Sequence, residues 1–343
     1  MRYTYQAFKD NNGRRDLEEQ KLIKYILLIL AVIFFSLNMG ASGIAPTFSA
    51  VYGGRLIKKK LAALLFTIFV ILGAATFGSG VVKTLSNGIL PRALINVDVA
   101  IIILASATLS LSLANLLGIP ESTSMVTVGA VVGAGLYLQH LQARTFLWLI
   151  PLWIGFPAAS FIITFFLYRI IYPPRHGNLW LYEKIFSNER KLKILAIVVS
   201  CYGAFAVGTN NVANAVGPLV GAKVIDGSTG LILIAPLLGL GALFFGKRNI
   251  ETFGKEVVPL GLITSNLVCL VTGSLLILAS SLGAPFPYVQ LNALSIFAIS
   301  CIKNGHKVTL NHHITRKTFM VWTLTPLLAI TVSYILSSIF LRR

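Results

Sequence analysis

Eight long apolar runs constrain this chain more than any other feature of its 343 residues. A helix needs about 20 predominantly apolar residues to cross a bilayer, and 56% of the residues are hydrophobic. The sequence therefore predicts an all-α polytopic membrane protein. The long runs cover residues 23–37, 61–82, 93–117, 145–171, 192–207, 229–246, 256–282 and 318–340, and shorter apolar segments cover 43–53, 124–138, 212–225 and 286–302.

The charged residues also favour a membrane location. The chain carries 29 basic and 11 acidic residues, a net charge of +18, and the basic residues lie mostly between the apolar runs. Basic loops between apolar spans are typical of multi-pass proteins in contact with anionic lipid. We therefore expect contacts with membrane lipid and no nucleic-acid partner. We also expect the protein to lie in a bacterial-type plasma membrane. Residues 1–20 are polar and charged, and they are predicted to form a loose N-terminal tail.

Residue types that carry catalysis or bind metals show no functional pattern in this sequence. The three cysteines lie in apolar segments, without the spacing of a zinc site or a disulfide framework. No catalytic triad, phosphate-binding loop or metal cluster is recognisable. We therefore expect neither an enzyme nor a bound cofactor or metal.

The chain is predicted to be a duplication of two membrane repeats, 21–171 and 192–343, joined by a polar linker at 172–191. Many secondary transporters consist of inverted repeats, with broken or re-entrant helices around a solute site near the midplane. Small-residue stretches at 129–135 and 239–241 could pack helices within one chain or in a homodimer. Three motifs recur in order, at separations of 172, 168 and 165 residues: Asn38–Ser42 with Asn210–Asn214, Gly73–Thr84 with Gly241–Thr252, and Gly118–Thr123 with Gly283–Tyr288.

Polar residues in these motifs are the candidate solute ligands. The motifs are predicted to break the helices, which exposes helix N-termini whose N–H groups and dipoles bind anions. The motifs at 37–45 and 209–218 contain no carboxylate, which also favours an anionic solute. The hydroxyls at 122–124 could instead only cap the helix that follows them. The candidate ligands are Asn38, Gly40, Ser42, Ser122, Thr123, Ser124, Asn210, Asn211 and Asn214.

Residues 208–219, Gly-Thr-Asn-Asn-Val-Ala-Asn-Ala-Val-Gly-Pro-Leu, resemble the signature of the PiT family of inorganic phosphate permeases. Residues 118–124 are similar to that family's Gly-Leu-Pro-Val-Ser-Thr-Thr motif, and the resemblance covers nearly the whole chain. The family's aspartates, which phosphate carriers associate with sodium and phosphate, are replaced by Met39 and Asn211. Residues 38–43, Asn-Met-Gly-Ala-Ser-Gly, resemble the CysP-type sulfate permeases, a branch of the same family. The resemblance implies a secondary sulfate importer that works by alternating access.

The missing carboxylates agree with sulfate on chemical grounds. Phosphate carries a proton near neutral pH and can donate it to a carboxylate, whereas sulfate is a dianion that a carboxylate repels. A sulfate site should therefore present donors, which the amide and hydroxyl side chains supply. Inorganic phosphate, other tetrahedral oxyanions such as thiosulfate, and an anion channel remain alternatives.

Three ionisable residues are candidates for proton coupling, because charges at membrane depth are commonly functional. Glu121 lies within the third motif, where a neighbouring dianion would favour its protonated form. Lys83 and Glu251 occupy equivalent positions in the two repeats. Protons are favoured over sodium as the coupling ion because the aspartates are absent. Alternatively, Glu121 is exposed at a helix start, and the other two lie at helix ends in the interface.

Overall fold

The structure is a bundle of α-helices of very different lengths. It is a computed structural model that describes residues 2–116, 121–186, 188–256, 261–311 and 313–341, and no strand occurs in these ranges. The helices are α1 (Arg2–Gly43), α2 (Ala45–Gly53), α3 (Lys59–Lys83), α4 (Val97–Leu116), α5 (Thr123–Leu138), α6 (Ala143–Ile171), α7 (Leu179–Phe186), α8 (Glu189–Gly221), α9 (Gly227–Glu256), α10 (Leu262–Ser281), α11 (Tyr288–Asn304), α12 (His306–Asn311) and α13 (His313–Phe340). A π-helical turn at Thr84–Gly88 extends α3, and 3-10 turns lie at Arg92–Leu94 and His176–Asn178.

Eight of the described helical segments are long and apolar enough to cross a membrane. They coincide with the eight long apolar runs of the sequence, which confirms the prediction of a multi-pass, all-α membrane protein. Helices α2, α5 and α11 correspond to three of the four short apolar segments. The spans are Glu18–Gly43, Lys59–Gly88, Val97–Ala114, Ala143–Ile171, Glu189–Gly221, Gly227–Lys247, Leu262–Ser281 and Trp322–Phe340.

The predicted break at the second polar motif is wrong. Helix α8 runs without interruption through residues 209–214, so the short apolar segment at 212–225 belongs mostly to the second half of this span. Polar side chains are compatible with a buried helix when neighbouring elements satisfy their hydrogen bonds. At the first motif, Ile44 alone separates α1 from α2. The predicted loose tail is also helical, because α1 begins at Arg2.

Two segments do leave helical structure inside the bundle. Between α10 and α11, residues 284–287 are not helical, and Gly283 has a φ of 73°, which glycine adopts without strain. Between α4 and α5, residues 121 and 122 are not helical, whereas Gly118, Ile119 and Pro120 of the third motif lie outside the described residues. We call these stretches the 284–287 segment and the 121–122 segment. Each leads into a helix, α11 or α5, that is shorter than a full span.

The C-terminal ends of α2 and α8 share one local structure, 168 residues apart. Arg55 and Lys223 both adopt a positive φ, of 55° and 59°. The N–H of Arg55 donates to the carbonyl of Tyr52 at 3.0 Å, and the N–H of Lys223 donates to that of Val220 at 3.1 Å. A positive φ is uncommon for a residue with a side chain, so the match supports a duplicated chain.

Close helix contacts repeat with the same separation. A Cβ added to Gly40 of α1 would lie 1.8 Å from the carbonyl oxygen of Leu238, and one added to Gly208 of α8 would lie 2.2 Å from that of Val70. The backbone of each glycine therefore touches the backbone of the neighbouring helix. A second pair of contacts repeats in the same way. Gly73 packs on the backbone of Phe205, and Gly241 packs on the backbone of Leu37.

These contacts correct the alignment of the first motif pair. Gly40 corresponds to Gly208 and Arg55 to Lys223, each at a separation of 168 residues rather than 172. The structural equivalent of Asn210 is therefore Ser42, not Asn38. A shift of four residues is about one helical turn and keeps the same face of the helix, so the motif alone did not reveal it.

The packing of helix pairs in one half has a counterpart in the other half, as expected for a duplicated chain. Helix α3 packs on α8 as α9 packs on α1, and α5 packs on α13 as α11 packs on α6. The helices α1, α3, α8 and α9 form the centre of the bundle. Inversion of the repeats relative to the membrane stays a prediction.

The small-residue stretches pack within the chain. Gly133 lies against the backbone of Ile330 in α13, and Gly239 lies against Thr67 in α3. These glycines allow close approach of neighbouring helices. A homodimer therefore stays a prediction that these stretches do not support.

Candidate solute-binding site

Asn210 lies at the centre of the bundle and joins three chain segments. Its Nδ2 donates to the hydroxyl of Ser280 at 2.9 Å and to the carbonyl of Ala284 at 2.8 Å. Its Oδ1 accepts from the backbone N–H of Phe286 at 2.8 Å and from the hydroxyl of Ser124 at 3.2 Å. One fully buried amide thus links α8 to the start of α5 and to the 284–287 segment.

Asn214, one turn further along α8, reaches the same helix start. Its Nδ2 donates to the hydroxyls of Thr123 and Ser124, both at 3.1 Å. Ser122 caps α5 by accepting from the N–H of Met125 at 3.4 Å. We call Asn210, Asn214 and the groups that they contact the Asn210 cluster. Its members are Thr123, Ser124, Asn210, Asn214, Ser280 and the backbone of Ala284 and Phe286.

Buried acceptors near the Asn210 cluster lack partners. The Oδ1 atoms of Asn211 and Asn214 and the Oε1 of Gln290 have no hydrogen-bond partner among the described residues. Buried polar atoms are nearly always hydrogen-bonded, so these atoms mark places where a ligand or a water molecule can bind. The orientation of an amide is an assignment, and rotation would present its NH2 instead.

Glu121 is buried beside the Asn210 cluster. It is 1% exposed, its Oε1 accepts from the N–H of Ser122 at 2.8 Å, and the hydroxyl of Thr325 in α13 contacts Oε2. The predicted alternative, an exposed residue at a helix start, is therefore wrong. The ion pairs of the described residues are Lys24–Asp98 and Lys193–Glu189, so Glu121 has no cationic partner among them.

The first motif contributes less to this centre than its sequence implies. Asn38 is half-buried, donates to the carbonyl of Phe34 on its own helix and accepts from the hydroxyl of Ser112 in α4 at 3.5 Å. Ser42 donates to carbonyls of its own helix. Gly40 packs against α9. Met39 is fully buried in the hydrophobic core. Of the nine predicted ligands, the six on α8 and at the start of α5 lie in one region. The three on α1, which are Asn38, Gly40 and Ser42, make their described contacts outside the Asn210 cluster.

Of the other two candidates for proton coupling, only Lys83 has a described side chain, and it lies outside the Asn210 cluster. Lys83 is exposed at the end of α3, which agrees with the helix-end alternative. Glu251 lies in α9, but its side chain is outside the described part of the chain.

Sequence reasoning missed Ser280, Ala284 and Phe286. The motif at 283–288 was recognised as the partner of the third motif, but it has no hydroxyl triplet and supplies backbone groups instead. Ser280, a hydroxyl residue three positions before this motif, could have indicated that the segment takes part in the site.

The Asn210 cluster consists of amide, hydroxyl and backbone groups. Such groups can replace the hydration shell of a small ion without adding a net charge. No group of three or more His, Cys, Asp or Glu residues that could hold a metal ion occurs among the described side chains.

A bundle of membrane-spanning helices, with a buried polar cluster where two segments leave helical structure, has the architecture of a secondary transporter. The model of the phosphate transporter family matches residues 39–333. The chain therefore belongs to the phosphate transporter family, and it is a multi-pass membrane transporter.

Individual relatives agree with this assignment. Sulfate permease CysP of Bacillus subtilis (strain 168) is 40% identical over 92% of this chain and 87% of its own. A probable low-affinity inorganic phosphate transporter of the same organism is 24% identical over 93% of this chain and 99% of its own. The solved structure of a sodium-dependent phosphate transporter shares the fold, with a TM-score of 0.79 and 21% identity over 92% of this chain and 98% of that one.

Proposed function

We propose that this protein imports inorganic sulfate across the plasma membrane, coupled to protons, by alternating access. The observation that carries the proposal is the Asn210 cluster, in which uncharged groups from both halves meet at one buried point. The 40% identity to a protein named sulfate permease supports the same solute.

The composition of the cluster suits a dianion without protons. Asn210, Asn214 and the hydroxyls of α5 bring no carboxylate that would repel sulfate. They can donate to a dianion by exchanging bonds that they now make within the cluster. Helix α5 begins at this point, and its N-terminal dipole adds favourable potential for an anion. Phosphate carries a P–OH group that needs a hydrogen-bond acceptor. A desolvated site without an acceptor for this group would therefore bind phosphate more weakly than sulfate.

Glu121 is the proposed proton carrier. Its carboxyl group is buried without a described cationic partner, which favours the neutral form. A proton on Glu121 and a dianion at the adjacent cluster would stabilise each other, so that both move together.

Uptake of radiolabelled sulfate into proteoliposomes tests the function. We expect a pH gradient, acidic outside, to accumulate sulfate against its concentration gradient, and unlabelled thiosulfate to compete better than phosphate. Entry that only equilibrates sulfate would indicate a channel. Stronger competition by phosphate, or no uptake, would contradict the proposal.

Inorganic phosphate is the second candidate, and one observation favours it. The unpartnered Oδ1 atoms of Asn211 and Asn214 are acceptors, and protonated phosphate could donate to them whereas sulfate could not. Phosphate uptake that increases from pH 8 to pH 6 with sulfate excluded would support this candidate.

A further inference from the structure

A second polar pocket lies away from the Asn210 cluster, between α2, α8, α10 and α11. It encloses about 350 Å³ of space, part of it open to the outside, and its lining is uncharged. That figure includes open solvent at the mouth, so the enclosed part is smaller and admits only a small solute. Its polar lining consists of Thr47, Ser49, Ser200, Ser265, Asn266 and Asn292.

The pocket is separate from the Asn210 cluster but shares α8 and α10 with it, and its helix α11 follows the 284–287 segment. Ser200 precedes Asn210 by ten residues of α8, or about 15 Å along the helix axis. On α11, Asn292 is one turn beyond Tyr288, where the helix begins after the 284–287 segment. A solute in the pocket would therefore lie about three helical turns from the cluster.

An unsatisfied polar group identifies the kind of ligand. Asn266 is 8% exposed, and its Nδ2 has no hydrogen-bond partner among the described residues. A buried NH2 group without a partner requires an acceptor, and an oxyanion is the acceptor that an uncharged lining of hydroxyls and amides accommodates.

We propose that this pocket is a second oxyanion site, which holds the transported anion before or after it occupies the Asn210 cluster. The proposal rests on the proposed function, because the ligand is the transported sulfate. Asn292 lines the pocket on α11, the helix that follows the 284–287 segment.

Cysteine protection tests the pocket directly. Ser49 lines it and is half-buried, so Ser49→Cys, made together with Cys301→Ser, places a thiol in the wall. In detergent, where both faces are accessible, we expect sulfate to slow modification by a small thiol reagent, and chloride at equal ionic strength to have no effect. Ser228→Cys, at an exposed position in the first turn of α9 that does not line the pocket, is the matched control, and sulfate should not change its modification.

Two further variants locate the protected site. Asn266→Asp keeps the side-chain volume and adds a repelling charge, so the sulfate concentration for half-protection should rise at least about tenfold. Asn266→Leu, which removes the donor, should act in the same direction if the aspartate variant does not fold. Asn211→Asp, beside the Asn210 cluster, should leave protection in the pocket unchanged.

The outcomes distinguish this inference from the proposed function. Normal sulfate uptake without protection of Ser49→Cys would overturn the second site, since the pocket would then hold water only. Protection that disappears in Asn211→Asp but persists in Asn266→Asp would also overturn it. If the proposed function is wrong, sulfate uptake is absent, and phosphate but not sulfate protects the thiol.

Discussion

Asn210 uses the full hydrogen-bonding capacity of its amide, with two donors and two accepted bonds. It can bind a solute only by exchanging one of these bonds. Asn211 lies next to it with an unpartnered Oδ1 and is 6% exposed. Asn210 therefore holds the cluster together, whereas Asn211 has a group available for a ligand.

Replacing Asn210 should damage the fold as well as transport. Asn210→Ala leaves the N–H of Phe286 and the hydroxyl of Ser280 without their present partner, and it should cost about 2–4 kcal/mol of unfolding free energy. Thr76→Ala, at an exposed position whose hydroxyl donates to carbonyls of its own helix, should cost less than about 1 kcal/mol. Thermal unfolding in detergent measures both, and equal losses would contradict a central role for Asn210.

Asn211→Asp tests the electrostatic basis of selectivity. The change adds a carboxylate without altering volume, so sulfate affinity should fall at least about tenfold while phosphate affinity falls less. Asn211→Ser is the uncharged control. Met39→Asp is not a suitable test, because Met39 is fully buried in the apolar core and a charge there would destabilise the fold. Unchanged sulfate binding in Asn211→Asp would refute the electrostatic account.

Glu121→Gln should separate anion binding from proton coupling. The amide keeps the shape and stays neutral, so exchange of external for internal sulfate should persist while pH-driven accumulation is lost. Thr325→Val removes the hydroxyl contact to Glu121 but keeps the carboxyl group, and its coupling should survive. Normal pH-driven accumulation in Glu121→Gln would exclude Glu121 as the proton carrier.

At the level of helices, glycines decide which faces meet. Leu37, Val70, Phe205 and Leu238 offer their backbones to glycines of the opposite half. Any side chain at those glycines would force the helices apart, because packed interiors have no room for an added methyl group.

Gly40→Ala and Gly208→Ala should each destabilise the protein by about 1–3 kcal/mol or more. Gly155 is the matched control, since it lies inside α6 with nothing within 4 Å of an added Cβ. Gly155→Ala should leave the melting temperature unchanged or slightly higher, because alanine is the better helix former. Similar effects at all three sites would argue against the contacts between α1 and α9 and between α3 and α8.

For the whole molecule, duplication and inversion are separate questions. The matched helix ends and reciprocal glycine contacts support duplication. Inversion requires that equivalent loops lie on opposite sides of the membrane. The loops before α3 and before α9 are such a pair. If α4 and α5 together return to the side from which they started, α3, α6 and α8 cross the membrane three times between these loops, which places them on opposite sides.

Lys60 and Ser228 are equivalent exposed positions in the first turns of α3 and α9. Lys60→Cys and Ser228→Cys, each made together with Cys301→Ser, should react with an impermeant thiol reagent from opposite sides of intact cells. One should label only after permeabilisation. Labelling of both from the same side would show parallel repeats.

The sequence by itself determined the membrane class, the eight spans and the group of polar residues at 122–124 and 210–214. These features are local, since span length and hydropathy depend on neighbouring residues alone. The tertiary structure decided that α8 is continuous, that Ser42 rather than Asn38 corresponds to Asn210, and that backbone groups of 284–287 complete the cluster. Those outcomes depend on contacts between helices distant in sequence. A shift of one turn preserves the face of a helix, so the two alignments are distinguished by the backbone packing at Gly40 and Gly208 and by the matching helix ends at Arg55 and Lys223.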